Sequence, residues 1–186
     1  MAFKTYEQQR AEDVEQLGAL IATIPDFPSK GVQFKDIFPI FREPAALKQL
    51  VEHFHRYCEH EITERVDVVV GLDARGFLIG PALAILLGAA FVPVRKRGKL
   101  PGACINAEYV KEYGKDIFEM QADAIKPGQN IIVVDDLIAT GGSAAAAGNL
   151  VKQLAGNIIR YLFIVELDFL EGRKKLDAPA YSLLRY

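Results

Sequence analysis

The stretch Ile131–Ser143 reads IIVVDDLIATGGS. An apolar, β-branched run ends in the adjacent carboxylates Asp135 and Asp136, and a glycine-rich turn then opens onto the helix-forming alanines Ala144–Ala147. This order predicts a fully buried, parallel strand followed by a loop and a helix. Backbone N–H groups at the start of that helix would favour an anion. The residues of this predicted anion loop are Ala139, Thr140, Gly141, Gly142 and Ser143.

The two carboxylates indicate which anion the loop would bind. Carboxylates accept hydrogen bonds from vicinal hydroxyl groups, so an acid pair directly before a phosphate cradle suits a sugar phosphate. The alternative is an ordinary strand–helix unit with acidic capping residues. We favour the sugar phosphate because strand, acid pair, ATGGS turn and helix follow one another in this order.

Length and composition limit the class of protein. The 186 residues are 51% hydrophobic and 25% charged, as expected for a single globular domain. The net charge of −2 gives no reason to expect nucleic-acid binding. We expect no membrane span, because neither a secretory segment nor a long apolar run is evident. Only Cys58 and Cys104 are present, which fits a reducing, cytoplasmic location.

Strands are predicted to alternate with helices, which gives an α/β domain with a mostly parallel central sheet. One helix should run from Val14 to Ile24 and stop at Pro25, and a second should begin at Pro44. The apolar residues of segment 98–120 show no sustained helical or strand periodicity, and the segment is predicted to form a long loop or a β-flap. The other predicted elements are strands at Val32–Phe38, Val66–Gly71, Phe91–Val94 and Ile158–Glu166, and a helix at Phe77–Leu87.

Two further segments follow predicted strands. Arg75 lies in the loop GLDARGF after Val66–Gly71, at the sheet edge where open α/β proteins bind ligands. The run RKRGKLPG begins at Arg95, after Phe91–Val94, and we expect no local acid to neutralise it. Each could be a solvated surface segment, but a polyphosphate would suit both. His53, His55 and His60 lack zinc-ligand spacing and are predicted at the surface or a helix end.

The stretch around Asp135 resembles the phosphoribosyl diphosphate (PRPP) signature of the type I phosphoribosyltransferases. The run RKRGKLPG, the Glu-Tyr pair in KEYGK and the segment FPSKGVQFKD are similar, more narrowly, to the adenine-specific members. The similarity extends from Pro25 to Leu184. Ala74 is a departure, because serine is common there in the family.

The resemblance implies the type I phosphoribosyltransferase fold, with a small N-terminal hood of about residues 1–40, a core of about 41–186 and a mobile β-flap loop of about 98–120. It also implies a reaction in which adenine and PRPP give AMP and pyrophosphate, with Mg²⁺ held mainly by PRPP oxygens and water. A homodimer with shared active sites is expected.

Roles for individual residues come from the same resemblance. Ribose and 5-phosphate would be bound by Asp135, Asp136 and the anion loop. Pyrophosphate would be bound by Asp73, Ala74, Arg75 and Lys99, and by Arg95 of the neighbouring subunit. In the family this loop often contains a cis peptide bond, and the matching bond here is Asp73–Ala74. Adenine would be bound by Gln33, Phe34, Lys35, Leu137 and Leu167. Glu112, Tyr113 and Arg75 would be catalytic.

Two alternatives remain at this point. A PRPP-binding regulatory or inactive relative would keep the residues around Asp135 but lose the catalytic ones, whereas Glu112, Tyr113 and the Arg75 loop are intact. A 6-oxopurine phosphoribosyltransferase would usually place a lysine on the strand after the PRPP loop. No lysine is present in Ile158–Glu166.

Glu112→Gln tests whether Glu112 moves a proton at the purine. We expect kcat and kcat/KM to fall together by about 10²–10⁴, because general acid–base catalysis supplies a factor of that size. PRPP affinity should stay near the wild-type value. Steady-state kinetics with adenine and PRPP measure both, and turnover within about twofold of wild type would leave Glu112 no proton-transfer role.

Overall fold

The computed structural model describes residues 4–111 and 114–186 of the chain. The chain folds as two compact units, Met1–Glu61 and Ile62–Tyr186. No helix of the described segments has both the length and the apolar character that crossing a membrane requires. The expected single domain with a hood of about 40 residues stays a prediction.

The first unit is mainly helical and contains one small hairpin. Thr5 caps its first helix by accepting a hydrogen bond from the Gln8 N–H, while the Gln8 side chain accepts one from the Thr5 N–H. The helices are α1 (Tyr6–Ala19), α2 (Phe38–Arg42) and α3 (Pro44–Glu61), and the strands are β1 (Ala22–Pro25) and β2 (Gln33–Asp36).

The predicted first helix extended too far toward the C-terminus and began too late. It ends at Ala19, and the last residues of the proposed helical pattern instead form β1, which pairs antiparallel with β2. Helical spacing at Ile21 and Ile24 was coincidental, because cross-strand pairing with Gln33–Asp36 decides the local structure. The predicted helix start at Pro44 is confirmed, as proline suits the first helical turn.

A buried polar cluster joins α1 to α3. Asp13 is fully buried and accepts hydrogen bonds from Gln49 Nε2 (2.9 Å) and Arg56 Nη2 (2.6 Å), while His53 Nδ1 lies 2.8 Å from its carboxylate. Burial alone would raise the pKa of Asp13, but these hydrogen bonds lower it. The prediction of a surface position is wrong for His53, because the side chain is needed to satisfy Asp13. His60 is exposed in the last turn of α3, as predicted.

The second unit is built on a seven-stranded sheet. Its strand order is β5-β6-β4-β3-β7-β8-β9, parallel from β4 to β9 and antiparallel at β6 and β5. The elements are β3 (Val68–Leu72), α4 (Gly80–Leu87), β4 (Ala90–Lys96), β5 (Cys104–Lys111), β6 (Gly114–Gln121), β7 (Asn130–Ile138), α5 (Gly142–Gln153), β8 (Asn157–Glu166) and β9 (Ala180–Arg185), with 3₁₀ turns at Arg75–Leu78, Asp168–Leu170 and Gly172–Lys175. The predicted mostly parallel sheet is confirmed.

The segment predicted as a loop or a β-flap is largely a β-hairpin of β5 and β6. The two residues that join these strands in sequence, Glu112 and Tyr113, lie outside the described residues. Strand β9 was not predicted. It is an edge strand of the sheet and pairs with β8.

Strands β3 and β7 lie in the centre of the sheet and set the position of the loops that follow them. Every residue of β3 is buried, and so are Ile131–Val134 of β7. Helix α5 packs on this sheet through buried Leu150 and Val151. Burying an apolar side chain of this size contributes about 1.5–3 kcal/mol, so the end of β7 is firmly fixed.

Asp13→Ala tests how far the polar cluster stabilises the first unit. Removing the carboxylate leaves Arg56 and His53 without their buried partner, so we expect the free energy of unfolding to fall by about 3–5 kcal/mol. Urea denaturation followed by circular dichroism measures the change. Lys48→Ala is the control, because its pair with Glu52 is exposed and should contribute less than about 0.5 kcal/mol. A loss below about 1 kcal/mol for Asp13→Ala would contradict this account.

Candidate functional site

A cleft of about 580 Å³ opens at the carboxyl ends of β3 and β7. The strand order reverses between these neighbours, since β4 lies beyond β3 and β8 lies beyond β7. Ligands of open α/β sheets bind at such a switch point. The cleft is lined by Asp73, Ala74, Arg75, Lys96, Tyr109, Phe118, Leu170 and the continuous run from Asp135 to Ala144.

The anion loop lies between β7 and α5, as the sequence predicted. Gly141 precedes the helix with φ 76° and ψ 1°, a left-handed conformation that glycine adopts without steric cost. The first backbone N–H to bond within the helix is that of Ala145, which donates to the Gly141 carbonyl. The N–H groups before it have no carbonyl one turn back along the helix, so the cleft faces a helix N-terminus suited to phosphate.

Asp135 and Asp136 lie within the β7 ladder rather than after it, because Asp135 still pairs with Phe163 of β8. Asp135 is partly buried and accepts a hydrogen bond from the Asp136 N–H (2.9 Å), and Asp136 is 5% exposed. Burial and the charge of Asp136 raise the pKa of Asp135 well above its ordinary value. Burial also raises the pKa of Asp136, against the opposing effect of the Arg75 guanidinium.

The loop after β3 brings a cation to this acid pair. Arg75 Nε lies 3.1 Å from Asp136 Oδ2, so the two predicted ligand-binding segments are in direct contact. The Asp73–Ala74 peptide bond is cis, the geometry that the resemblance suggested for this bond. Each of these loop residues lines the cleft.

The basic run, which begins in the last two residues of β4, is paired, contrary to what its sequence suggested. Arg95 Nε donates to Asp73 Oδ2 (3.0 Å), and Lys96 Nζ lies 3.7 Å from Asp116 Oδ2. Arg97 Nε lies 4.0 Å from Glu119 Oε1. The partners come from another loop and from β6, so the view that no local acid neutralises the run was wrong. Whether Arg95 acts in a neighbouring subunit stays a prediction.

Lys99, Arg95 and Leu167 are not among the residues that line the cleft. The Lys99 carbonyl accepts a hydrogen bond from Arg95 Nη1 (3.2 Å). Leu167 follows β8 directly, and its N–H donates to the Ile138 carbonyl (3.0 Å), next to the cleft-lining Leu137.

The adenine readers proposed from the resemblance form strand β2 of the first unit. Phe34 meets Phe27 edge to face at 5.0 Å between ring centroids. Lys35 Nζ donates to the Thr23 hydroxyl across the hairpin (3.0 Å). Gln33 is exposed at the end of the strand, where it pairs with Pro25.

Six cleft residues were not predicted as site residues: Lys96, Tyr109, Phe118, Ile138, Ala144 and Leu170. Lys96 has the same strand parity as buried Val94, so alternation along β4 could have placed it on that face. Tyr109 and Phe118 lie on β5 and β6 with ring centroids 4.6 Å apart. Their positions depend on the antiparallel pairing of β5 with β6. The spacing of apolar residues in the sequence did not reveal this pairing.

Asp135→Asn tests the electrostatic cost of the acid pair. A carboxyl whose pKa is raised by folding stabilises the fold when protonated and loses that contribution as pH rises through the folded pKa. The variant should therefore melt higher at pH 7–8, by about 2–4 °C for each kcal/mol regained, and the gain should shrink as pH falls. The amide oxygen can still accept from the Asp136 N–H. Calorimetry at several pH values measures this, with exposed Asp123→Asn as control; an unchanged or lower Tm at pH 8 would contradict it.

Comparison with known proteins agrees with this geometry. A model of the phosphoribosyl transferase domain matches residues 40–185. The adenine phosphoribosyltransferase of Yarrowia lipolytica is 59% identical over 170 residues, covering 91% of this chain and 93% of that protein. Adenine phosphoribosyltransferase 1 of Saccharomyces cerevisiae is 53% identical over 175 residues, covering 94% of each.

A solved structure extends the match to three dimensions. The Saccharomyces cerevisiae enzyme, complexed with an imino-altritol bisphosphate and adenine, superposes with a TM-score of 0.90 at 52% identity, covering 93% of this chain and 99% of that one. Fold, cleft and sequence thus agree, and the chain belongs to the adenine phosphoribosyltransferases of the phosphoribosyl transferase domain family.

Proposed function

We propose that this chain transfers the 5-phosphoribosyl group of PRPP to adenine, giving AMP and pyrophosphate in purine salvage. The observation that carries the proposal is one cleft in which an acid pair, a helix N-terminus and the Arg75 loop meet. These are the three features that a ribose bearing a phosphate at one end and a diphosphate at the other requires. Relatives named adenine phosphoribosyltransferase match more than nine tenths of the chain.

The anion loop would hold the 5-phosphate, because its helix start directs N–H groups and a partial positive charge at the ligand. The hydroxyl groups of Thr140 and Ser143 can add donors. Asp135 and Asp136 would accept hydrogen bonds from the ribose hydroxyls. The two carboxylates are adjacent in sequence and line the same cleft, so one ribose can reach both.

The other end of PRPP would lie against the loop Asp73–Ala74–Arg75. The guanidinium of Arg75 can bind two phosphate oxygens at once, which fits a leaving pyrophosphate. Lys99 would add a further cation, and in a homodimer Arg95 would come from the neighbouring subunit. Within this chain Arg95 donates a hydrogen bond to Asp73 of the pyrophosphate-binding loop. Arg95 would have to give up this hydrogen bond to bind pyrophosphate in the neighbouring subunit.

The acidic residues fit a magnesium ion that the substrate largely holds. Among the described residues, no group of three or more potential ligands could hold a metal by itself. Mg²⁺ commonly uses one or two carboxylates together with substrate phosphates and water, and Asp135 and Asp136 are the protein oxygens at hand. When bound, the ion would neutralise charge on the diphosphate oxygens.

The carboxylates would also act on the reacting ribose. Breaking the bond to pyrophosphate before adenine attacks leaves positive charge on the sugar, and fixed negative groups next to it lower the barrier. In the chain alone, burial raises the pKa values of both carboxyl groups, and repulsion from the charge of Asp136 raises that of Asp135 further. Developing positive charge on the ribose offsets that repulsion, so the acid pair is better matched to the transition state than to the empty cleft.

The hairpin strand β2 would read the purine. Phe34 would stack on the base, and Leu137 and Leu167 would supply the apolar contacts that the resemblance assigns to them. Backbone groups of Gln33 and Lys35 would recognise the purine edge, since a carbonyl accepts from the 6-amino group of adenine. A 6-oxo purine would place oxygen against oxygen at the same position, which costs roughly 1–3 kcal/mol.

Glu112 and Tyr113, which lie between β5 and β6 in sequence, would complete the proposed machinery. Closure of the flap would exclude water, which matters because hydrolysis of PRPP competes with transfer. Glu112 would handle the purine proton, and Tyr113 would close over the leaving group.

Base discrimination tests the proposed function. With PRPP and Mg²⁺ supplied, adenine should be used at least about 10-fold better than hypoxanthine or guanine in kcat/KM, as a lost hydrogen bond of about 1.4 kcal/mol implies. Formation of AMP, IMP and GMP by the purified chain measures this. Comparable turnover of the three bases would rule out the adenine reader in β2, and no turnover at all would favour the inactive relative.

A further inference from the structure

The segment from Asp168 to Lys175 lies directly against the anion loop. A Cβ atom on Gly172 would lie 2.3 Å from the Ala139 carbonyl oxygen and 2.8 Å from the Gly141 nitrogen. A Cβ atom on Gly141 would lie 2.3 Å from the Gly172 carbonyl oxygen. The two backbones therefore touch with no room for a side chain, and any shift of Gly172 is transmitted to the loop.

Little regular structure holds this segment. It consists of two short 3₁₀ turns, Asp168–Leu170 and Gly172–Lys175, separated by Glu171 with φ 51°. Such turns have poorer hydrogen-bond geometry than an α-helix and do not fix their own position. The Asp168 N–H donates to the Tyr186 carbonyl (2.9 Å) at the start of the segment. The place of Gly172 depends further on side chains that anchor the segment to the sheet.

Arg173, the residue after Gly172, provides the strongest anchor. Its Nε lies 2.7 and 2.8 Å from the two Glu166 oxygens, and its Nη2 lies 2.5 Å from Glu166 Oε2. The same guanidinium donates through Nη1 to the Ala180 carbonyl (2.6 Å) and through Nη2 to the Ser182 hydroxyl (3.3 Å). One side chain thus joins the segment to both β8 and β9.

The acceptor is itself fixed. Glu166 is 3% exposed, ends β8 and accepts a further hydrogen bond from the Ser182 hydroxyl (2.6 Å). Burial alone would raise the pKa of Glu166, but hydrogen bonds from Arg173 and Ser182 lower it. Glu166 also pairs in register with Ile138, the residue directly before the anion loop. The acceptor of the clamp and the anion loop therefore lie at the paired ends of the neighbouring strands β8 and β7.

We propose that Arg173 is a positioning residue that holds Gly172 against the anion loop and so keeps the loop in shape for the 5-phosphate. The inference rests on the proposed function for its ligand. Its effect should be confined to the phosphate end of the site. Arg173 binds the ends of β8 and β9, whereas Arg75 and Asp73 belong to the loop after β3 and pair with Asp136 and Arg95.

The test measures ligand binding and kinetics on three variants. Arg173→Met removes the clamp, Arg173→Lys keeps the charge without the planar fork, and Glu166→Gln/Arg173→Met removes both charges so that no buried carboxylate is left unpaired. AMP probes the anion loop and pyrophosphate with Mg²⁺ probes the Arg75 loop, both by titration calorimetry. A fourth variant, Gly172→Ala, should displace the anion loop directly, and its binding and kinetics should resemble those of Arg173→Met.

We expect the Kd for AMP and the KM for PRPP to rise about tenfold or more in Arg173→Met and in the double variant, as loss of a charge-assisted hydrogen bond implies. Arg173→Lys should recover part of the loss. The Kd for pyrophosphate and the KM for adenine should stay within about twofold of wild type. If Arg173→Met does not fold, the double variant and Arg173→Lys decide.

Lys174→Met is the matched control, because Lys174 is the next residue and its ion pair with Glu171 lies at the surface. It should match wild type in all four quantities. Equal losses of AMP and pyrophosphate binding, or wild-type AMP binding in the folded Arg173 variants, would overturn the inference. A wild-type chain that binds AMP but forms none would contradict the proposed function and leave the binding test intact.

Discussion

Two adjacent carboxylates at the end of a buried strand are the feature on which the site depends. Burial raises the pKa values of Asp135 and Asp136, and the charge of Asp136 raises that of Asp135 further, so keeping both groups charged costs stability. Arg75, 3.1 Å from Asp136, offsets part of that cost. A positively charged ribose would offset more of it. The chain thus keeps an electrostatically unfavourable arrangement that Arg75 relieves in part and its ligands would relieve further, as active sites often do.

The sheet explains why these groups meet. β3 and β7 are neighbours at the point where strand order reverses, so their following loops open away from each other and leave a cleft between them. One loop supplies Arg75 and the other supplies the start of α5. Because both strands are buried along most of their length, the spacing between the two loops is set by core packing.

Features encoded within a few adjacent residues could be predicted from the sequence. The acid pair, the anion loop and the Arg75 loop each belong to one strand–loop–helix stretch, and the structure brings all three to one cleft. Features that depend on distant partners could not be predicted. His53 is buried because Asp13, forty residues earlier in sequence, needs its ring nitrogen. The basic run is neutralised by Asp73, Asp116 and Glu119, which only the fold brings close.

The central claim is that the loop after β7 binds the 5-phosphate of a ribose while Asp135 and Asp136 bind its hydroxyls. A crystal structure of the chain with AMP tests it directly. The account predicts the phosphate within about 3 Å of backbone N–H groups of the anion loop, with both ribose hydroxyls at the acid pair. A phosphate bound instead at Arg75 or Lys96, with the anion loop unused, would contradict it.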